Sequence, residues 1–236
     1  MDTNHSYGKA VKPAALAIGA ILIALTAACT TEGQASPEEF LAATTLPGAS
    51  GTIELVAADA CTHVDAPMLD IPTASDSEPQ MRIPQPPGWE QTDELNDMDM
   101  GIRFGLVGSA LVADEPPRNV VMVTLEEVPD VDAQTIFDMT RAELVEVLDE
   151  ENVPTELTAT AGTVCGLPAE TITYAGDAAL NAPPVTVLNV VTKAGGDTYQ
   201  ASVVQTVEPG NPTYERNAEM ILMGFEVLPP TASRKL

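Results

Sequence analysis

Basic residues are scarce in this chain. Ten Lys and Arg stand against 35 Asp and Glu in 236 residues, a formal net charge of −25 with a sequence pI near 4.1. A nucleic-acid backbone would be repelled, so nucleic acid is excluded as a partner. Anionic lipid head groups would be repelled too, which excludes membrane attachment through a basic patch. Histidine is scarcer still, with His5 and His63 alone. They cannot assemble a multi-histidine metal centre, and no metal or cofactor is expected. One Ser-His-Asp triad remains arithmetically open, but Val107-Gly108-Ser109-Ala110-Leu111 departs from the G-x-S-x-G elbow by placing Leu111 where glycine belongs. No glycine loop for phosphate is present, because Gly195-Gly196 joins two predicted strands rather than a strand and a helix. The acidic stretch Asp97-Met98-Asp99-Met100-Gly101 lacks the third oxygen ligand of a calcium loop, since Gly101 fills that place. A carboxylate pair for glycoside hydrolysis is the one catalytic set that so acidic a composition leaves open.

What the chain does have is a distinctive start. Lys9 and Lys12 precede an unbroken apolar and small-residue run over 14–25, which leads through Leu25-Thr26-Ala27-Ala28 into Cys29. This is a charged n-region, an h-region and small residues before a cysteine. The pattern resembles a bacterial lipobox, with Thr26 where leucine is usual. In such proteins the cysteine thiol takes a diacylglyceryl group and becomes the first residue after cleavage. Ordinary secretion and a retained anchor are the alternatives, although the run is short of the ~20 residues a spanning helix needs. Residues 1–28 are thus expected to be a signal peptide, leaving 236 − 28 = 208 residues. The removed Lys9, Lys12 and Asp2 take a net charge of +1, so the mature chain stands at −25 − 1 = −26. A covalent lipid on Cys29 is then its means of holding the cell membrane.

The three cysteines divide accordingly. With Cys29 lipidated, Cys61 and Cys165 remain to pair outside the cytoplasm. No C-x-x-C motif suggests a redox or metal role. The bridge would close 165 − 61 = 104 positions, worth up to about 4–5 kcal/mol in the chain-entropy model.

Residues 29–52, rich in Gly, Pro and Ser, read as a linker spanning roughly 25–30 Å. Residues 53–59 offer a first strand or ordered lead-in, and 67–80 reads as irregular chain between Pro67 and Pro72 and beyond. Strands are expected over 102–112, 119–128, 155–164, 170–174, 185–192, 198–207 and 225–228, with turns at 115–117 and 166–169. The run Val120-Val121-Met122-Val123-Thr124-Leu125 predicts a central strand covered on both faces. Asp132 caps a helix over 133–150 whose apolar positions recur every three to four residues. Asn211 with Pro212 opens a second helix. Trp89, the only tryptophan, is expected to pack over a sheet edge after Pro86-Pro87-Gly88. The fold class is therefore α+β: one domain over 53–230, a mostly antiparallel sheet with amphipathic helices packed on it, and a tail at 231–236.

The lipobox, the proline-rich linker, Ala66-Pro67 after Cys61, Pro86-Pro87-Gly88-Trp89-Glu90, Cys165-Gly166-Leu167-Pro168-Ala169 and Phe225-Glu226-Val227-Leu228-Pro229-Pro230 together resemble the LpqN/LpqT family of actinobacterial lipoproteins. The resemblance implies a PsbP-like α/β sandwich and a place in the envelope of mycolate-bearing bacteria. It also implies binding of an envelope glycolipid or of envelope transport and assembly proteins, and it carries over no catalytic motif.

The expected function is that of a non-enzymatic lipoprotein on the outer face of the cytoplasmic membrane. An apolar pocket lined by Ile136, Phe137, Met139, Met220 and Met223 is the candidate lipid site, set against the reading that these are core residues. The rivals are a hydrolase or transferase acting on envelope sugars, and a surface module facing a host.

Overall fold

The computed structural model describes residues 61–93, 95, 101–108, 119–150, 153–154, 156–176 and 183–230. Cys29, the expected strand over 53–59, the Asp97–Asp99 loop, Ser109, the turn at 115–117 and the tail lie outside them.

Two antiparallel sheets and two helices make up the described chain. The larger sheet has seven strands in the order β3-β4-β5-β9-β8-β7-β6. These are β3 (Trp89–Gln91), β4 (Ile102–Gly108), β5 (Val120–Val128), β6 (Leu157–Val164), β7 (Leu167–Tyr174), β8 (Val185–Ala194) and β9 (Asp197–Thr206). The smaller has the order β1-β2-β10, from β1 (Met68–Ile71), β2 (Gln80–Pro84) and β10 (Glu226–Leu228). Helix α1 is Ala133–Glu150 and helix α2 is Pro212–Met223. The α+β class and the antiparallel sheet are as the sequence predicts.

Alternation along β5 sorts these elements into layers. Val121, Val123 and Leu125 point to one face, where they meet Ile71, Met81, Ile83 and Val227 of the small sheet and Ile221 of α2. Val120 and Met122 point to the other, where they meet Leu144 and Leu148 of α1. A strand sandwiched in this way has no solvent side, which is why the run from Val120 to Leu125 is unbroken in burial and Thr124 is its one polar residue. Trp89 is buried on the edge strand β3, edge-on to Tyr214 of α2 at 6.1 Å between ring centroids.

Capping follows the sequence signals. Asp132 accepts from the Thr135 backbone N–H at 3.0 Å and from the Thr135 hydroxyl at 2.7 Å. Asn211 accepts from the backbone N–H groups of Thr213 and Tyr214, with Pro212 at the first helical position. Gly224 ends α2 because the lead-in crosses there: a Cβ would lie 2.5 Å from Val64 and 2.6 Å from Pro84.

Two expectations need correction. Residues 67–80 are not wholly irregular, since β1 and the first residue of β2 fall within them. Pro67 and Pro72 bracket only four residues, too few for a readable period, and β1 is held by cross-strand pairing instead. Arg82 ties its three strands together, 3.2 Å from Asp70 on β1 and 3.3 Å from Glu226 on β10. The turn expected at 166–169 is the two-residue turn Cys165-Gly166, with φ of 51° and 76°, and Leu167-Pro168-Ala169 already belongs to β7. Positive φ at both central residues is what a tight hairpin requires. Pro168 is tolerated because β7 begins to pair with β8 only at Ala169.

Cys165 is bonded to Cys61 across 104 positions. The bond ties the start of the described chain to the tip of the β6–β7 hairpin. Replacing both cysteines by serine should lower stability to urea by up to about 4–5 kcal/mol without loss of the folded circular-dichroism spectrum. Thiol titration of the denatured, non-reduced protein should find neither Cys61 nor Cys165 free.

Candidate functional site

The face of the large sheet beneath α1 is where polar groups collect. Three cross-strand rows can be read from the register. Met122, Val204, Val187 and Ile172 form an apolar row. Two residues along each strand, Thr124, Ser202, Asn189 and Glu170 form a polar one. Glu126, Gln200 and Val191 come next. The polar row is fully under cover: Thr124, Ser202, Asn189 and Glu170 are all buried.

Burial of this kind is tolerable only if the groups bond to one another. The Ser202 hydroxyl donates to Asn189 Oδ1 at 2.8 Å, and Gln200 Nε2 reaches the same oxygen at 3.2 Å. From α1, the Thr140 hydroxyl lies 3.1 Å from Gln200 Oε1 and 3.0 Å from the Ile136 carbonyl, and its one hydrogen serves either. Arg141 donates from one guanidinium nitrogen to Glu170 Oε1 and from the other to Asp138 Oδ1. The second oxygen of Glu170 and the amide nitrogen of Asn189 have no hydrogen-bond partner among the described residues.

Charge makes the row responsive. Burial, with the Glu143 carboxylate on α1 as a second cause, pushes the Glu126 carboxyl up from its ordinary 4.5 to about 7. Glu143 is itself pushed up, by burial first and then by Glu146. Glu126 therefore exchanges a proton near neutrality, beside the Arg141–Glu170 pair and the Glu143 carboxyl. Glu170, the other buried carboxylate of this face, is committed to Arg141. The carboxylate that acts on Glu126 is Glu143, across from it on α1. His63 is exposed on the lead-in and contributes nothing here. Among the described residues no group of three His, Cys, Asp or Glu is placed to hold a metal ion.

The five residues expected to line one apolar pocket do not come together. Ile136 and Phe137 are buried against Val191 under α1. Met139 points outward and is 51% exposed. Met220 and Met223 belong to α2, on the opposite side of the sheet, and Met223 is 53% exposed. The expectation put both helices over one cavity, whereas the alternating side chains of β5 and β9 assign them to separate layers. The buried polar row went unread although its signal was present. Asn189, Ser202 and Thr124 each interrupt an apolar run, and only the register shows that the three interruptions line up.

No family model matches the chain, and no curated protein matches it. Among solved structures, the chain is similar to the crystal structure of LpqN, described as involved in cell envelope biogenesis of Mycobacterium tuberculosis, at a TM-score of 0.48 and 16% identity over 69% of this chain and 91% of that one. It is similar to the Ran-binding protein Mog1p of Saccharomyces cerevisiae, at a TM-score of 0.40 and 12% identity over 70% of this chain and 97% of that one. A variant of Mog1 gives a TM-score of 0.38 and 16% identity over 63% and 91%. None of these likenesses is strong enough to carry function.

Two outcomes follow from the row's electrostatics. The folded pKa of Glu126 lies above its unfolded value, so the stability this group allows is complete below pH 4.5 and is lost as pH rises through about 7. Glu126→Gln should raise the unfolding midpoint at pH 8, by about 1–2 kcal/mol after discounting for partial exposure, and leave pH 5 nearly unchanged. Arg141→Ala strands the Glu170 carboxylate and should cost about 3 kcal/mol in denaturant titration, with Arg141→Ala/Glu170→Leu recovering much of the loss.

Proposed function

We propose that this chain is a non-enzymatic lipoprotein of the cell envelope. It is held on the outer face of the cytoplasmic membrane by a lipid on Cys29, and it binds an envelope lipid, glycolipid or protein in envelope assembly or transport. The observation that carries the reading is the disposition of the cysteines. Cys61 and Cys165 are bonded to each other, which suits a compartment outside the cytoplasm and leaves Cys29 as the one thiol for a lipid. Cys29 is also the cysteine that follows the apolar run and the small residues.

A further observation supports it. A chain this acidic has no cationic surface with which to hold an anionic leaflet, so a covalent lipid is the attachment that its charge permits. On this reading residues 29–52 are the tether, and the sheet flanked by α1 on one side and by α2 with the small sheet on the other is a PsbP-like sandwich. Motif resemblance to the LpqN/LpqT lipoproteins points the same way. The binding role rests on that motif resemblance alone, since the polar row beneath α1 is closed over by the helix.

Palmitate labelling of cells expressing the full chain tests the anchor. The wild type should take up label and fractionate with membranes, and Cys29→Ala should lose the label and accumulate as uncleaved precursor. Unchanged labelling of the variant removes the anchor. Native mass spectrometry of the mature protein isolated from its host should find a lipid or a protein bound, and a bare chain throughout would remove the binding role.

A further inference from the structure

Sheet edges differ sharply in this molecule. The large sheet ends on one side in β3, of three residues, and the small sheet ends in β1 and β10, of four and three. Short edges are a common protection against unwanted pairing. The remaining edge is β6, eight residues long, and none of the usual protections is built into it. Its sequence, Leu-Thr-Ala-Thr-Ala-Gly-Thr-Val, carries no charge and no proline in a chain with 35 acidic residues. It pairs with β7 at every position from Leu157 to Val164 without a bulge. Residues 158–163 are exposed, and among the described residues no strand lies along the outer side. A Cβ added at Gly162 would meet nothing within 4 Å.

Hairpin geometry says which backbone groups look outward. Val164 and Leu167 flank the two-residue turn and form its closing hydrogen-bonded pair. Bonding then alternates, so Thr158, Thr160, Gly162 and Val164 face β7. Leu157, Ala159, Ala161 and Thr163 present their N–H and C=O groups to the outside. Among the described residues no strand pairs with that side.

We infer that β6 is a self-complementary edge through which two copies of this chain pair antiparallel about a two-fold axis at Thr160. Outward residues must face outward residues, and only one register brings all four of them into play. It sets Leu157 against Thr163 of the second copy, Ala159 against Ala161, and Thr160 against Thr160. Every opposed side chain is then small or apolar. The central pair is threonine on threonine, which is favourable across strands. No carboxylate meets another, although each copy is strongly acidic, because β6 holds none. The contact is isologous and uses the one long edge of each copy, so assembly stops at two.

The register makes the pairing testable in cells expressing the full chain. Thr160 would face its own copy as a non-hydrogen-bonded pair with Cα atoms about 4.5 Å apart, within the range a disulfide accepts. Ala161 would lie beyond the ~7 Å limit from its own copy. Thr160→Cys should give a covalent dimer on a non-reducing gel, and wild type and Ala161→Cys should not. Ala161→Pro removes an outward N–H that β7 does not use, so Thr160→Cys/Ala161→Pro should keep the Cys61–Cys165 bond and the folded spectrum while losing the dimer. Absence of a covalent dimer from folded Thr160→Cys would overturn the pairing and point to another occupant, either residues 29–60 of this chain or an extended segment of a different protein. Equal dimer from Thr160→Cys and Ala161→Cys would overturn the register.

Discussion

The ladder between β5 and β9 runs unbroken from Val120 against Thr206 to Val128 against Thr198, and from Val120 to Leu125 protein covers both faces of β5. Everything else in the molecule is placed by it. A two-faced strand has no solvent side on which to leave a polar group, so each residue must be apolar or must find a partner. The same alternation fixes the layers. Odd-numbered residues of β5 hold the small sheet and α2, and even-numbered ones hold α1. A slip of one residue would exchange the two sets and leave neither helix a matching surface.

The two layers answer that constraint differently. Toward α2 and the small sheet the large sheet is mostly apolar, from Phe104 and Leu106 through Val121, Val123, Val203 and Ala201 to Leu188 and Val190, with Gln205 and Thr192 as its buried polar members. Toward α1 that surface is cut by Thr124, Ser202, Asn189 and Glu170. Such a cut adds little to stability, since buried hydrogen bonds largely replace bonds to water. It adds to specificity. A helix that must set Thr140 on Gln200 and Arg141 on Glu170 has one position along its axis, whereas a purely leucine face would tolerate several. Glu126 is the exception within this arrangement. It is half-buried without a cation, and Glu143 sits near it on the covering helix. The layer beneath α1 therefore holds a carboxyl pushed up to about 7.

Much of the architecture was legible in the sequence because the strongest signals are local. Six consecutive buried residues of β5, the cap at Asp132 and the Asn211-Pro212 pair each act within a few residues, and each stands where the pattern puts it. The small sheet was not legible. β1 is four residues between prolines, and it is a strand because it pairs with β2 at each of its positions, which nothing within four residues announces. The candidate site failed for a related reason. Ile136 and Phe137 are as apolar as Met220 and Met223, and nothing in one helix says on which side of a sheet another will lie. Only register decides that, and register is a property of pairs of strands.

The Cys61–Cys165 bond shows how the two sheets become one body. Its hairpin end is Cys165, the one non-glycine residue with positive φ among those described. That conformation costs a side-chain-bearing residue about 1 kcal/mol or more, which a glycine would avoid. Glycine occupies both places in the comparable turn at Gly195-Gly196, between β8 and β9. Cysteine at 165 therefore gives up backbone ease for a covalent link. The link holds the chain that enters β1, and through β1 the small sheet, against the far end of the large one. Val64 and Pro84 close over Gly224 along the same path, so the lead-in is fixed by packing at α2 as well as by sulfur at β6. Two fixed points in so short a span leave the lead-in little freedom. The small sheet, whose Ile71, Met81, Ile83 and Val227 pack on the apolar face, is thus tied to it covalently as well.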